Sequence, residues 1–268
     1  NIYPTHLEKL INTRNIAEEK SDIFNPKYNQ NIELVVLCNN NQDEKFIIKK
    51  AKKLNFSNII TFGNDNSSDL KIKKIDSFNN LKSKIFIDYR DEEISLIVNN
   101  NQLSKINNIL ICLAIFIYNK IDKDILKLSL KKLPLLQGRG LQKKIFFNKK
   151  EIIFIDESYN ASPYTMKTTV NYFNNLKIKE EQKKYLILGE MKELGKDSLK
   201  YHRELLYQLD KTNINNIILC GELMQIALEK NIKSKFLIML NTKLIIKYLK
   251  DNINNNDIIL IKGSNSSI

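Results

Sequence analysis

At 268 residues, 43% of them hydrophobic and 27% charged, the chain is long for one core and suits two domains of a globular protein. No apolar run approaches the roughly 18 residues that a membrane span needs, so membrane insertion is not expected. The formal net charge of +13 comes from scattered lysines that accompany many Asn and Ile residues, as an AT-rich coding sequence produces. Without an arginine cluster or a basic strand interleaved with aromatics, nucleic-acid binding is not expected either.

Residues 5–24 read as one helix, with Leu7, Leu10, Ile11, Ile16 and Ala17 at helical spacing and Ile23–Phe24 closing it. The run Glu33–Cys38 reads as a buried strand, Asp43–Leu54 as an amphipathic helix and Asn58–Gly63 as a second strand. That β-α-β order favours a parallel sheet. The segments Lys84–Tyr89 and Ile94–Asn99 read as a hairpin around the charged turn Arg90–Glu93. Helices are expected over 104–118 and 122–132, before Pro134 and Gln137–Gly140 break the pattern. Strands then follow at Lys143–Phe147 and Glu151–Asp156, and a helix after Pro163. Strands at Lys184–Gly189, Asn216–Cys220, Lys235–Leu240 and Asp257–Gly263 alternate with helices near 198–210, 222–230 and 242–250. This alternation predicts a doubly wound, Rossmann-like α/β domain. The expected division is 1–143 and 144–268.

The three cysteines, Cys38, Cys112 and Cys220, are far apart. Their spacing fits neither a zinc site nor a disulfide framework, which makes a reduced, cytoplasmic protein the expectation. No basic-then-apolar leader is visible. The chain starts at Asn1 and ends just past an apolar strand, so both ends read as cuts through a longer protein.

One stretch, Leu186–His202, imitates a phosphate-binding loop, because a strand runs into Gly189 and Gly195-Lys196 follows. A P-loop requires four residues between its glycines and Ser or Thr after the lysine. Here five residues intervene and Asp197 follows Lys196. Glu190 and Glu193 would also put carboxylates beside phosphates. No other glycine in the chain completes the motif. Asp156–Pro163 follows an apolar strand, and polar residues there mark either a ligand-binding strand end or an Asx turn with a proline-started helix.

Taken together, Asn1–Leu10, Ile16–Phe24, Ile106–Ala114, Gln137–Gly140, Ile155–Met166, Leu186–His202 and Asp257–Ser266 resemble, in order, the motifs of the Mur ligase family. Within the family they resemble most the members that add D-alanyl-D-alanine to a UDP-muramoyl tripeptide. The resemblance spans essentially the whole chain. It implies the later part of a central ATPase domain followed by a Rossmann-like C-terminal domain, without the UDP-sugar domain or the P-loop. The implied chemistry is ATP-dependent amide formation through an acyl phosphate, with ATP and Mg²⁺ as cofactors. UDP-N-acetylmuramoyl tripeptide and D-alanyl-D-alanine are the implied partners, and the implied state is a monomer. On its own this chain is expected to be inactive.

Carried over residue by residue, the resemblance makes Lys20 the lysine that is carbamylated to hold Mg²⁺, and His6 the histidine near a second metal. Asn108 would lie near adenine and Arg139 would reach phosphate. Asp156 and Glu157 would supply a contact to ribose, beside Tyr159 and Asn160 of the same turn. Glu190, Glu193, His202, Lys262 and Ser264 would face the incoming dipeptide. Some positions depart from the family pattern: Glu157 replaces a second Asp, Ser162 an Asn and Thr5 an Ala. Two other readings compete. One is a folylpolyglutamate-synthase-like ligase. The other is a non-catalytic Rossmann-like binding module with a basic surface, marked by steeply salt-dependent DNA binding.

Overall fold

The computed structural model describes residues 1–77, 82–132, 136–228 and 236–264. The chain divides into two compact units. One comprises Asn1–Tyr3 with Leu10–Leu133, and the other Pro4–Lys9 with Pro134–Ile268.

The first unit is built on a five-stranded sheet in the order β1 (Val35–Cys38), β2 (Ile59–Gly63), β3 (Leu70–Ser77), β4 (Lys82–Tyr89), β5 (Glu92–Asn99). The first three strands are parallel neighbours, with α3 (Gln42–Lys53) joining β1 to β2, and β3, β4 and β5 form an antiparallel meander. The β4–β5 hairpin turns at Arg90-Asp91, both with positive φ, as two-residue hairpin loops require. Ile85 and Ile87 on β4 alternate with Ile94, Leu96 and Val98 on β5 to give one apolar face. Ile109, Leu110 and Leu113 of α4 (Ile106–Tyr118) cover it, with Leu126 and Leu130 of α5 (Lys123–Lys132). Each such buried side chain contributes roughly 1.5–3 kcal/mol.

Two sequence expectations change here. Strand β3 was not anticipated, because its register shifts between Ile72 and Lys74 and the apolar alternation breaks there. The helix expected over 5–24 is interrupted. A short α1 (Leu7–Leu10) ends at Ile11 with φ 68°, and α2 (Thr13–Ser21) restarts after Asn12. Asn12 caps the second helix by accepting from the Asn15 amide at 2.9 Å. An Asn cap of this kind competes well with a continuous helix.

The second unit is a six-stranded sheet in the order β10-β9-β8-β11-β7-β6. Its strands are β6 (Leu141–Phe147), β7 (Lys150–Asp156), β8 (Lys184–Leu188), β9 (Asn216–Leu219), β10 (Phe236–Ile238) and β11 (Ile258–Lys262). All but the edge strand β6 are parallel. Helix α6 (Pro163–Asn175) begins with Pro163 behind Ser162, whose side chain forms a capping box with Thr165. Then come α7 (Ser198–Asp210), α8 (Glu222–Ala227) and α9 (Thr242–Asn252). The helix expected over 222–230 is therefore seen to Ala227, and residues 229 and 230 lie outside the described residues.

Chain order steps outward from β7 through β8 and β9 to β10, then returns to insert β11 between β8 and β7. Right-handed crossovers put the returning helix α9 on the face opposite the outward-stepping helices. Ile245 and Leu249 of α9 accordingly pack with Tyr185, Ile187, Ile218 and Ile259. The C-terminal ends of β7, β11 and β8 thus lie side by side, at the edge where such sheets place ligands.

Candidate functional site

Asp156, the last residue of β7, organises the first strand end. Its Oδ2 accepts from the Gly138 amide at 2.9 Å. Its Oδ1 accepts from the Ser158 amide at 3.1 Å and from the Ser158 hydroxyl at 2.6 Å. The Gly140 amide donates to the Asp156 carbonyl at 2.7 Å, and the Tyr159 amide to the Gly138 carbonyl at 3.0 Å. These bonds tie 138–140 to the 156–160 turn. Arg139 is thereby held outward, with its guanidinium 4.0 Å from the centroid of the exposed Tyr159 ring. A guanidinium is planar and stacks on an aromatic face in this way. The Asp156 carboxylate is committed to holding this loop.

Lys262 ends β11 and is buried, at 3% exposure. Its ammonium donates to the Asn160 carbonyl at 2.8 Å and lies 3.7 Å from a Glu157 carboxylate oxygen. Burial pushes the Lys262 pKa below the usual lysine range, and Glu157 acts in the opposite direction. Four predicted residues therefore meet at one place. Asp156 and Glu157 open the turn, Asn160 closes it, and Lys262 holds it from the neighbouring strand.

The 189–195 segment after β8 is fastened residue by residue. The Gly189 amide donates to the Lys262 carbonyl at 2.8 Å, and the Ser264 amide to the Glu190 carbonyl at 3.0 Å. The Lys192 amide donates to Ser264 Oγ at 3.0 Å. Glu190 Oε1 accepts from the Leu223 amide at 2.7 Å, at the start of α8. Gly221, with φ 112°, leaves room for that carboxylate, and a Cβ there would overlap it. Glu193 pairs through Oε2 with His6 Nδ1, and its carbonyl accepts from the Glu8 amide at 3.2 Å. Gly195 packs against this same Leu7–Glu8 backbone, where a Cβ would sit 3.2 Å from Glu8 Cα. The near-P-loop glycine thus serves a close backbone approach. His202, fully buried on α7, uses both ring nitrogens. Nε2 accepts from the Met191 amide at 3.0 Å, and Nδ1–H donates to the Ser198 carbonyl at 2.7 Å. Burial lowers its pKa below the ordinary value, so the ring is neutral near pH 7.

In the first unit, Lys20 donates to the Asn1 carbonyl at 2.9 Å. It lines a pocket of roughly 400 Å³ whose walls are mostly apolar, including Phe24, Leu34, Val36 and Ile111. Asn108 is exposed on α4. Lys20 and His6 fall in different units. Among the described residues no three His, Cys, Asp or Glu side chains gather to hold a metal. An ammonium is a donor and repels a cation, and imidazole suits Mg²⁺ poorly. This donor set, with Lys20 as an amine, does not fit Mg²⁺.

Sequence reading missed Ser158, Gly138, Gly221 and Met191. Their roles run through backbone amides and through space for a neighbour, which leave no mark in residue type. Gly138, Ser158 and Met191 do lie inside the motifs Gln137–Gly140, Ile155–Met166 and Leu186–His202, and Gly221 follows a strand end.

A doubly wound sheet with polar loops at its strand ends, joined in sequence to a mixed α/β unit, defines a two-unit α/β protein. The family model for the Mur ligase middle domain matches residues 1–116, and that for the Mur ligase glutamate ligase domain matches 145–265. The chain belongs to the Mur ligase family. It is 31% identical over 273 residues to a UDP-N-acetylmuramoyl-tripeptide–D-alanyl-D-alanine ligase of Rickettsia prowazekii (strain Madrid E), covering 98% of this chain and 57% of the relative. The ligase of the same name from Buchnera aphidicola subsp. Baizongia pistaciae is 29% identical over 269 residues, covering 99% of this chain and 55% of the relative. The MurF ligase of Thermotoga maritima, solved in complex with ADP, shares the fold at a TM-score of 0.77 and 22% identity, covering 99% of this chain and 57% of that one. The chain spans about half the length of the curated relatives it matches.

Proposed function

We propose that this chain provides part of an ATP-dependent amide ligase that adds D-alanyl-D-alanine to a UDP-N-acetylmuramoyl tripeptide, in the cytoplasm and as a monomer. The relatives that carry this activity in their names support the reading, as does the ADP held by the Thermotoga maritima structure. In this reading residues 1–143 belong to the ATP-handling part and 144–268 to the part that receives the dipeptide.

The single observation that carries the proposal is the 189–195 loop. Its two carboxylates are fixed at the C-terminal edge of the sheet by bonds to β11, α7, α8 and the Leu7–Glu8 segment. Carboxylates suit the ammonium of an incoming dipeptide, as they do not suit phosphate. The reaction runs in two steps. The tripeptide carboxylate attacks the γ-phosphorus of ATP, forming an acyl phosphate and releasing ADP. The dipeptide amine then attacks the acyl carbon. The tetrahedral intermediate expels inorganic phosphate, and the amine proton goes to solvent or a nearby base. Activation is required because a carboxylate is a poor electrophile. Arg139, stacked on Tyr159, is the charge this chain offers to phosphate oxygens. On resemblance Lys20 and Asn108 belong to the ATP side, whereas His6 pairs with Glu193 of the dipeptide loop.

The test is an NMR titration of the whole chain with D-alanyl-D-alanine and, separately, L-alanyl-L-alanine. Saturable shifts at Glu190–Glu193 and Ser264 are expected for the D,D dipeptide alone. Equal responses to both dipeptides, or none to either, overturn the proposal.

A further inference from the structure

We infer that His202 is the positioning residue of the dipeptide loop: the neutral ring, protonated at Nδ1, spans from α7 to the Met191 amide and fixes the carboxylates on either side of it. This inference rests on the reading of Glu190 and Glu193 as the dipeptide-facing pair.

Besides the Leu223 amide on the Glu190 carboxylate and the Glu8 amide and His6 on Glu193, the loop is fastened from the end of β11. Gly189, the Glu190 carbonyl and Lys192 are all bonded to Lys262 or Ser264, at the end of β11. Met191 is buried at 0% exposure, and its amide has His202 Nε2 as partner. It sits between the carboxylate that meets the start of α8 and the one that meets His6. A buried amide without an acceptor is strongly disfavoured, so loss of Nε2 would turn this segment toward water and carry both carboxylates with it.

The bridge works in one tautomer only. Nε2 must be bare to accept from Met191, and Nδ1 must carry the proton given to Ser198. A second proton would set N–H against N–H. The groups facing the ring are the Ser198 carbonyl on its own helix and the Met191 amide on the loop, with the Glu190 carboxylate as the charge whose field it feels.

The test uses the full chain with His202→Phe and His202→Gln. Phe keeps the ring volume without an acceptor, whereas Gln restores an acceptor that does not titrate near neutral pH. Hydrogen exchange at the Met191 amide reports the bridge without any ligand. Protection of this amide, that is exchange relative to the intrinsic rate at each pH, is expected to fall in the Phe variant, to recover in the Gln variant, and to fall on mild acidification in the wild type but not in the Gln variant. D-alanyl-D-alanine affinity is expected to fall about tenfold in the Phe variant, equivalent to ~1.4 kcal/mol, and to return with Gln. Unchanged Met191 exchange in the Phe variant overturns the inference, and so does an identical acid response in the Gln variant. If Phe misfolds, the pH response of Gln against wild type decides alone. If the wild type binds no dipeptide while exchange behaves as stated, the functional reading falls and the loop-fixing role stands.

Discussion

Asp156→Asn tests whether this carboxylate is the post that holds the strand-end loops. The substitution exchanges one oxygen for an NH₂ group. Three donors now converge on the two oxygens: the Gly138 amide at 2.9 Å, and the Ser158 amide and hydroxyl at 3.1 and 2.6 Å. Whichever way the amide turns, NH₂ faces an N–H or an O–H. Gly138 is buried, so an orphaned amide there stays out of water. Losing one bond to a charged acceptor costs about 1.5–3 kcal/mol, and weakening the others brings the expected loss to roughly 2–4 kcal/mol. At about 3–5 °C per kcal/mol for a domain of this size, the melting transition should fall by roughly 6–20 °C. Circular dichroism measures that drop, and hydrogen exchange at the Gly138 and Tyr159 amides locates it. Ser158→Ala removes one donor and leaves the carboxylate intact, so it should cost less than ~1.5 kcal/mol. An Asp156→Asn protein of wild-type stability with Gly138 still protected would refute the reasoning.

Further outcomes follow from the same geometry. Lys262→Met leaves the Asn160 carbonyl without its ammonium and Glu157 without its counter-charge, and should destabilise by about 3–5 kcal/mol. Adding Glu157→Gln should recover part of that loss in a urea-denaturation double-mutant cycle. Gly221→Ala combines a strained φ with overlap on the Glu190 carboxylate, and should cost roughly 1–3 kcal/mol by the same measurement. His202 binds its second proton less readily when folded than when unfolded, so the unfolded chain holds more protons just below pH ~6.5. Its stabilising contribution is present above that pH and fades as pH falls through the folded value, and urea midpoints in His202→Gln should lack this component. Cys112 is exposed whereas Cys38, pushed up to about 12 chiefly by burial, is not, so a maleimide should label Cys112 first in the native chain.

The fold was most legible where apolar runs were uninterrupted. Val35–Cys38, Ile59–Gly63, Lys184–Leu188 and Ile258–Lys262 announce buried parallel strands by composition alone. Strand β3 escaped because a bulge at Ile72–Lys74 shifts its side chains out of step. The break at Ile11–Asn12 escaped because an Asn cap looks like any helix-flanking polar residue until its bond to Asn15 is seen. At the site, residue type revealed charge but not commitment. Asp156 and Glu190 read equally well as ligand groups, yet Asp156 spends both carboxylate oxygens on its own loop, whereas Glu190 gives Oε1 to the Leu223 amide. His202 read as facing substrate, and its burial with both nitrogens bonded makes it a bridge within the protein. Gly195-Lys196 read as a failed phosphate cradle, and the approach of Leu7–Glu8 supplies the physical reason for a glycine there.

The most direct test of the central claim is product formation. This chain would be joined to the part of the Rickettsia prowazekii relative that it does not cover, and supplied with ATP, UDP-N-acetylmuramoyl tripeptide and either D-alanyl-D-alanine or a single amino acid. Mass spectrometry should find the tripeptide extended by the D,D dipeptide, with ADP and phosphate released in equal amount, and no product from this chain alone. Extension by a single amino acid in preference to the dipeptide would contradict the account, as would turnover by this chain by itself.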